Sequence, residues 1–414
     1  MIDAMKLRQL TADDIAWLEA NRHVDINALW LKHKGNEDME FLITQLQCRQ
    51  KARGKLEGDI ADEYFIYPNP LAVEQCSGSS MASLHASMVG SDDRILDMTM
   101  GLGIDAMTIA RKCREIVMLD LKQDNVNAAQ LNIERLALSN AHALCGDSIE
   151  HLRESPDGAF DVIFIDPARR DANGRRLYAL ADCEPDVTSL LPMASLKAKR
   201  MIVKASPMLD IDKMVGELAP YHADVIVTGT ATECKEVIAN IRFDKPCTGD
   251  YCISCIIPSK GRIDFSADEE RKAVATYHNP TTGMYLFEPS PTLLKAGCFN
   301  LLSQRYGLHK IAPATHLYLS EKTSDDLHLG SWWKISEVQA FDKRAIKEIP
   351  RFYPSVSVST RNFPIDADTL RRKLKVSENP GQLKLWGTTD HLGKKCIIIG
   401  ERISEKLNQN VLFC

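Results

Sequence analysis

Seven short runs of β-forming residues between residues 94 and 257 constrain the fold more than any other feature of the chain. They are RILDM, EIVMLD, AHALC, FDVIFID, RMIVKA, DVIVTG and YCISCII. Helical stretches separate most of them, and strands that alternate with helices form a parallel sheet covered by helices. YCISCII follows DVIVTG without a full-length helix between them. We therefore expect six parallel strands and an antiparallel seventh.

The residues on either side of these runs predict separate lobes. In the first ninety residues, Thr11 and Asp14 have the spacing of a capping box, and MEFLITQLQCRQKARGKL carries apolar residues at helical intervals. Residues 259–280 look like a polar connector, and the remainder like small α+β modules. We predict a helical lobe over residues 1–75, an α/β domain over 76–258, and α+β modules over 281–340 and 341–414.

Composition argues against a membrane protein and against a disulfide scaffold. No stretch reaches the roughly 20 apolar residues of a membrane helix, so we expect a cytoplasmic protein without a membrane partner. Twelve cysteines are scattered along the chain, which in a reducing compartment indicates buried thiols. Cys247, Cys252 and Cys255 have part of the spacing of an iron–sulfur site. Their strand-like, apolar surroundings favour burial, and we expect no metal.

Charge differs in sign along the chain. Residues 281–414 hold 19 Lys and Arg against 13 Asp and Glu, whereas residues 1–280 hold 32 against 43. Nine basic and three acidic residues lie between Lys343 and Lys375. This stretch is either a solvated face or a surface for nucleic acid. Three tryptophans flank it and are either core residues or a stacking surface: Trp332, Trp333 and Trp386.

The run ILDMTMGLGIDAMTIA predicts a strand, a glycine loop and a helix that begins near Ile104. Gly101 and Gly103 would let the backbone approach a ligand closely. GLGIDA also satisfies the dinucleotide pattern, and Asp120, nineteen residues after Gly101, would suit a ribose hydroxyl in either case. NAD is therefore an alternative at this stage.

Acidic residues around the loop favour a cationic ligand. Asp97 and Asp105 would repel a pyrophosphate, whereas they complement the ammonium and sulfonium of S-adenosylmethionine. Thr99 and the loop amides could hold the carboxylate of that cofactor. Asp147, with Ser148 beside it, could accept from the adenine amino group, or could simply cap a helix. The predicted cofactor residues are Asp97, Thr99, Gly101, Gly103, Asp105, Asp120, Asp147 and Ser148.

The run FDVIFID ends at Asp166, the first residue of DPARR, at the sheet edge where ligands of open α/β sheets bind. Methyl transfer requires in-line attack, so positioning would dominate catalysis, with Asp166 as an orienting group or weak base. We predict Asp166, Pro167 and Arg169 as catalytic residues. Guanidiniums and ammoniums that could contact the substrate, or could be solvated or capping groups, are Arg170, Arg175, Arg176 and Lys204.

EQCSGSS, DMTMGLGIDA, DPARR and KASPMLDI resemble motifs of a known family. The span from about residue 74 to 257 resembles the class I, Rossmann-type methyltransferases, and the whole chain resembles bacterial methyltransferases with a C-terminal THUMP-like domain. That resemblance implies a seven-stranded sheet, ferredoxin-like and THUMP-like modules, S-adenosylmethionine as cofactor and a possible RNA substrate. The chain departs from the family at Gly78-Ser79-Ser80, because an acid is expected after the serine pair.

DPAR also bears on the acceptor. Amino methyltransferases carry a second proline and an aromatic where this chain has Ala168 and Arg169, and a motif with Arg resembles certain methyltransferases of tRNA or ribosomal RNA. The favoured acceptor is a base nitrogen of such an RNA. Alternatives are a protein or small-molecule acceptor, or an RNA-binding protein that holds the cofactor without turnover. Pyrimidine C5 chemistry would need a cysteine nucleophile near the fourth strand, and Cys183 is expected to be a core residue.

Overall fold

A computed structural model describes residues 7–58, 60, 62–169, 179–258, 260–379 and 381–403. The chain divides into two compact units. The first comprises Met1–Ala223 and Ile238–Cys247, and the second comprises Asp224–Val237 and Thr248–Cys414. Among the described residues no helix is long and apolar enough to cross a membrane.

The helices of the described residues are α1 Ala12–Ala20, α2 Ile26–Lys32, α3 Glu37–Ala52, α4 Pro70–Gln75, α5 Ser79–Ala86, α6 Ile104–Ala110, α7 Gln123–Arg135, α8 Ser148–Glu154, α9 Val187–Lys197, α10 Ile211–Glu217, α11 Ala267–Lys272, α12 Pro291–Ala296, α13 Asn300–Tyr306, α14 Lys343–Phe352 and α15 Ala367–Leu374.

The strands of the same residues are β1 Arg94–Asp97, β2 Glu115–Asp120, β3 Ala141–Cys145, β4 Val162–Ile165, β5 Ala168–Arg169, β6 Cys183–Glu184, β7 Arg200–Ala205, β8 Tyr221–Gly229, β9 Cys234–Pro246, β10 Cys252–Ile257, β11 Gly261–Ser266, β12 Thr276–Tyr277, β13 Tyr285–Pro289, β14 His309–Ala312, β15 Thr315–Ser320, β16 Gly330–Ala340, β17 Ser357–Arg361, β18 Leu383–Thr389 and β19 Lys395–Arg402.

The N-terminal lobe is helical, as predicted. Both hydrogen bonds of the predicted capping box form between Thr11 and Asp14 and begin α1. Residues 41–46 of α3 are all buried, so the helix is covered on every side over more than one turn, and Phe41 and Leu46 share an apolar cluster with Ile66. Burial, rather than helix propensity alone, stabilises a helix of this length.

The described part of the α/β sheet has nine strands rather than the predicted seven, in the order β11-β10-β8-β9-β7-β4-β1-β2-β3. The seven predicted runs form β1, β2, β3, β4, β7, β8 and β10. The pairs β3–β2, β2–β1, β1–β4 and β4–β7 are parallel, which confirms this part of the α/β prediction.

Three expectations for the last strands were wrong. YCISCII forms β10, which pairs with β8 in parallel rather than antiparallel, with Ile253 opposite Val225. A strand that the sequence reasoning missed, β9, lies between β8 and β7. Residues 259–280 are not a plain connector, because they contain β11, α11 and β12. In β11, Ile263 and Phe265 are buried and alternate with exposed neighbours, and this period of two builds an edge strand antiparallel to β10.

The described C-terminal residues form a sheet of eight strands in the order β12-β14-β15-β13-β16-β19-β18-β17. Helices α14 and α15 bury Ile349 and Leu370 in the same apolar cluster as residues of β18 and β19. A second cluster contains Trp333 and Trp386, whose ring centroids lie 5.0 Å apart at an interplanar angle of 80°. Both indoles are buried, so Trp333 and Trp386 are core residues, whereas Trp332 is partly buried and donates to the Leu327 carbonyl.

Candidate cofactor and acceptor site

Parallel pairing brings the carboxyl ends of β1 and β4 together, because Asp97 lies opposite Phe164, two residues before Asp166. A cleft of about 570 Å³ opens at this edge, within the first compact unit. Its lining residues are Asn69, Leu71, Ala72, Gln75, Cys76, Ser77, Thr99, Met100, Gly101, Leu102, Gly103, Ile104, Asp105, Lys122, Asn125, Asp166, Pro167 and Ala168. Thr99, Gly101, Gly103, Asp105, Asp166 and Pro167, all predicted site residues, therefore share one cavity.

Asp120 fixes the glycine loop. Its carboxylate accepts from the Gly101 amide at 3.0 Å, from the Lys122 amide at 2.8 Å and from the Asn125 side chain at 3.0 Å. Gly101 and Gly103 have φ of 57° and 80°, in the left-handed region that disfavours residues with a Cβ. The sequence places glycine where this turn requires it, and Asp120 holds the loop by its hydrogen bond to the Gly101 amide.

Asp97 is buried beneath the loop, with only 1% of its surface exposed. Its Oδ1 accepts from the Thr99 amide at 2.9 Å, and the Thr99 hydroxyl accepts from the Asp166 amide at 2.7 Å. Burial raises the pKa of Asp97 to about 7, against the opposing effect of the Thr99 amide. Thr99 thus connects the buried acid under the cofactor loop to the backbone of the acid at the reacting edge.

Asp105 and Asp166 share a buried cation. Lys204 Nζ lies 3.2 Å from Asp105 Oδ2, 2.7 Å from Asp166 Oδ2 and 2.8 Å from the Ser77 hydroxyl. Asp105 also contacts His85 Nδ1 at 2.8 Å and accepts from Ser77 at 2.7 Å. Burial alone would raise the pKa of Asp105, but Lys204 and His85 outweigh it and hold that pKa well below its usual range.

The comparisons with known proteins agree with this geometry. Family models match residues 80–181 as "Conserved hypothetical protein 95", residues 285–327 as a ferredoxin-like domain and residues 330–402 as a THUMP-like domain. A crystal structure of a proposed methyltransferase from Porphyromonas gingivalis W83 superposes with a TM-score of 0.82. It is 26% identical, and the match covers 95% of this chain and 98% of that one.

Two sequence relatives have named activities. The chain is 24% identical over 345 residues to an uncharacterized S-adenosylmethionine-dependent methyltransferase of Mycobacterium tuberculosis, covering 81% of this chain and 89% of the relative. It is 34% identical over 85 residues to the 23S rRNA (uracil(1939)-C(5))-methyltransferase RlmD of Stenotrophomonas maltophilia, covering 20% and 19% of the two chains. This chain is an S-adenosylmethionine-dependent methyltransferase. It has the class I fold and a C-terminal THUMP-like domain.

The residues of the cleft fit the cationic cofactor of this methyltransferase. Asp97, Asp105 and Asp166 lie around a single lysine, Lys204. A pyrophosphate would be repelled by this excess of carboxylate, whereas an ammonium or sulfonium would be attracted. Asn125 Oδ1 is buried and has no hydrogen-bond partner among the described residues, so it can accept from a bound ligand. Asp97, Thr99 and Asn125 are the residues we expect to hold S-adenosylmethionine.

Four predicted cofactor residues lie outside the cleft lining: Asp97, Asp120, Asp147 and Ser148. Asp97 and Asp120 accept hydrogen bonds from the Thr99 and Gly101 amides of the loop, as described above. Asp147 caps α8, accepting from the Ile149 amide at 2.8 Å, and its neighbour Ser148 is buried in the first turn of that helix. The helix cap is therefore the observed contact of Asp147, and its predicted hydrogen bond to adenine stays a prediction.

The predicted substrate residues are only partly described. Asp166 is 44% exposed and Pro167 lines the cleft beside it. Ala168 and Arg169 form β5, which pairs antiparallel with β6. The Arg169 side chain lies outside the described part of the chain, as do the residues Arg170, Arg175 and Arg176. Lys204 is 6% exposed and bridges two acids, so it is a buried group rather than a surface contact.

Sequence reasoning missed one wall of the cleft. Asn69, Leu71, Ala72 and Gln75 lie in or just before α4, and all four line the cavity. It also missed His85, which is fully buried against Asp105. EQCSGSS was the available signal, because its Ser77 contacts both Asp105 and Lys204. Nothing in the sequence pattern, however, indicated which side of the sheet this segment covers.

Proposed function

We propose that this enzyme methylates a base nitrogen of transfer or ribosomal RNA. The observation that carries the proposal is the position of Asp166-Pro167 on the rim of the cofactor cleft, with the Asp166 amide held by Thr99 and its Oδ2 held by Lys204. Because the Asp166 backbone and its Oδ2 are both held, its carboxylate has a fixed position. It can then accept a hydrogen bond from an amino or imino group and orient the nitrogen toward the methyl group.

RNA is favoured by the charge of the THUMP-like domain. Lys343, Lys347 and Arg351 recur every four residues on the exposed face of α14. Arg372 and Lys373 are exposed on α15, which packs beside α14. Cations grouped in this way release counterions when they meet phosphates, and this release supplies much of the affinity for nucleic acid. The partial likeness to RlmD, a ribosomal RNA methyltransferase, points to the same class of acceptor.

Nitrogen is favoured over pyrimidine C5 by the state of the nearby thiols. Methylation at C5 needs a thiolate that attacks the ring. Cys183 is buried and lies opposite Arg169 in the β5–β6 pair, and it is absent from the cleft lining. Cys76 does line the cleft, but its thiol donates to the Val73 carbonyl, and burial raises its pKa. Cys183 therefore lies outside the cleft lining, and burial disfavours the thiolate of Cys76.

The test is transfer of tritium from methyl-labelled S-adenosylmethionine to total RNA from a strain that lacks the gene. We expect labelled RNA whose nucleoside digest contains an N-methylated base. Asp166→Asn should still bind the cofactor but should label RNA much more slowly, because it loses the ion pair with Lys204. Label in C5-methylated pyrimidine would overturn the choice of nitrogen. Label confined to protein or to small molecules would overturn RNA itself.

The control variant for folding is Asp92→Asn, because Asp92 is exposed and absent from the cleft lining. It should bind the cofactor and label RNA as the wild type does. If Asp166→Asn also labelled RNA at the wild-type rate, Asp166 would not be the orienting group.

A further inference from the structure

Lys204 joins two carboxylates that come from different parts of the sheet edge. Asp105 lies in the first turn of α6, directly after the glycine loop, and Asp166 follows β4. Lys204 lies in β7 and reaches both, at 3.2 Å and 2.7 Å. No residue of the cofactor loop contacts Asp166 by an ion pair in the described chain, so this ammonium is the charged link between the loop helix and the reacting edge.

A second layer holds Lys204 in place. Ser77 accepts from Lys204 at 2.8 Å and donates to Asp105 at 2.7 Å. His85 contacts the other oxygen of Asp105 at 2.8 Å, and its ring lies 5.6 Å from that of Phe164 in β4. Each polar group of this cluster therefore has a buried partner, which fixes the position of the ammonium.

We propose that Lys204 is a positioning residue that aims Asp166 at the acceptor and limits the negative charge met by the sulfonium of the cofactor, with Asp105 and His85 holding it there. The positioning role rests on the proposed function, whereas the charge role depends only on the cofactor. The cluster has three acids, Asp97, Asp105 and Asp166, against one buried lysine. Removing that lysine should make the cleft markedly more attractive to a cation.

The charge role has a readout that needs no acceptor. S-adenosylmethionine carries a sulfonium, whereas S-adenosylhomocysteine carries a neutral thioether in its place. Loss of a nearby positive charge should therefore strengthen binding of the first relative to the second, by at least about threefold at the effective dielectric of a partly buried site. Damage to the fold would weaken both ligands alike and leave the ratio of their dissociation constants unchanged.

The experiment is calorimetric titration of both ligands into Lys204→Met, Asp105→Asn and the double variant. Lys204→Met should raise the preference for S-adenosylmethionine, Asp105→Asn should lower it, and the double variant should return it to within about twofold of wild type, since its net charge is unchanged. Lys197→Met is the matched control. Lys197 pairs with Asp157 at 2.9 Å, away from the cleft, and its loss should not move the ratio.

The positioning role is tested with the same double variant in the RNA transfer assay. We expect it to keep the wild-type ratio of ligand affinities and, at saturating cofactor, to transfer methyl at least about tenfold more slowly than wild type, because Asp166 lacks its partner. If Lys204→Met does not fold, the double variant still decides, because both charges are removed together. An unchanged ligand ratio in Lys204→Met and Asp105→Asn would overturn the charge role.

Full transfer by the double variant would overturn the positioning role. If wild type labels no RNA while the ligand ratio shifts as expected, the proposed acceptor and the positioning role both fall, and the charge role stands. Lys204→Arg sharpens the result, since it retains the charge in a larger group and should keep the wild-type ligand ratio.

Discussion

The cofactor cleft and the C-terminal sheet both bury carboxylates, but they balance them in opposite ways. In the cleft, one ammonium, Lys204, is shared by two acids, and a third acid, Asp97, is buried beside them. In the C-terminal sheet, a single acid, Glu288, lies between two cations, with Lys384 at 2.7 Å and Arg361 at 3.5 Å.

The difference indicates which cluster is built for a ligand. Burying a charge is costly unless it has a partner. Glu288 has its partners within the protein, and Lys384 also lies over the rings of Trp333 and Trp386, so this cluster is complete. The cleft retains more negative than positive charge, and a cationic cofactor supplies the positive charge that its carboxylates lack. Variants in the two regions should therefore separate stability from binding.

The largest expected effect is that of Asp97→Asn. We expect binding of S-adenosylmethionine to weaken by about 100-fold, since a buried charge partner is lost. Stability should change in the opposite direction. The pKa of Asp97 is raised to about 7, so the stability this residue contributes at low pH is lost as pH rises through 7. Urea unfolding at pH 8 should show the variant to be more stable than wild type.

Near pH 4 the stability gain of Asp97→Asn should disappear, because Asp97 is then protonated in the folded protein. A variant that was less stable than wild type at pH 8 would show that the Asp97 carboxylate is already compensated within the protein. The cofactor cleft would then not differ from the C-terminal sheet in how its buried carboxylates are balanced.

In the C-terminal sheet, Lys384→Met should lower the free energy of unfolding by about 3 kcal/mol, because Glu288 is left buried with only the longer contact to Arg361. Binding of S-adenosylmethionine should be unchanged. Chemical denaturation together with titration of the cofactor measures both quantities. The exposed Lys394→Met is the control and should change stability by less than about 0.5 kcal/mol.

The affinity for the cofactor should depend on pH through Asp97. With a pKa of about 7, the ionised fraction of this acid rises about tenfold between pH 6 and pH 8, and the affinity should rise with it. Titrations in buffers of different ionisation enthalpy should detect a proton released on binding at pH 6.5. Asp97→Asn should remove this rise, whereas Asp92→Asn should keep it.

Reversing charge on the THUMP-like domain should affect RNA and not the cofactor. Lys347→Glu with Arg351→Glu should reduce the dependence of log RNA affinity on log salt by about 1 to 2. Filter binding to total RNA at several salt concentrations provides the measurement. Lys112→Glu with Arg114→Glu, exposed residues of the α/β domain, is the matched control. If both double variants reduced the salt dependence of RNA affinity equally, RNA binding would not be a property of the THUMP-like surface.

The smallest expected effect is at Asn125, whose Oδ1 has no partner among the described residues. Removal of one neutral hydrogen bond by Asn125→Ala should weaken S-adenosylmethionine binding between about twofold and tenfold. Because the Asn125 side chain also donates to Asp120, the loop should loosen slightly. Calorimetry that showed no change would mean that this oxygen faces no cofactor group.

The sequence predicted β4, whose residues are apolar throughout, and missed β9, whose residues are not. VIFI in β4 is completely buried, so continuous hydrophobicity identifies it. The segment CKEVIANIR of β9 mixes charged and small residues of good helix propensity. Within this segment, only Val237 to Ala239 and Ile241 are fully buried. Pairing with the neighbouring strands, rather than the local preference of its residues, makes this segment a strand.

At the site, the sequence identified the residues and not their partners. Asp105 and Lys204 were both predicted, one for the cofactor and one for the substrate, yet they contact each other. They are 99 positions apart, and no local pattern encodes a pairing at that separation. The role of His85 was not predicted, because no local pattern shows that this histidine is buried against an acid 20 positions away.

The wall of the cleft formed by Asn69 to Ser77 has a practical consequence. Residue 75 is the end of the predicted helical lobe, and a cloning strategy based on that boundary would begin the catalytic fragment at residue 76. Such a fragment would keep DMTMGLGIDA, DPARR and KASPMLDI, but it would cut EQCSGSS after its second residue and lose one side of its cofactor pocket. An activity assay of this fragment would detect no methyl transfer. The expressed chain should therefore begin upstream of α1.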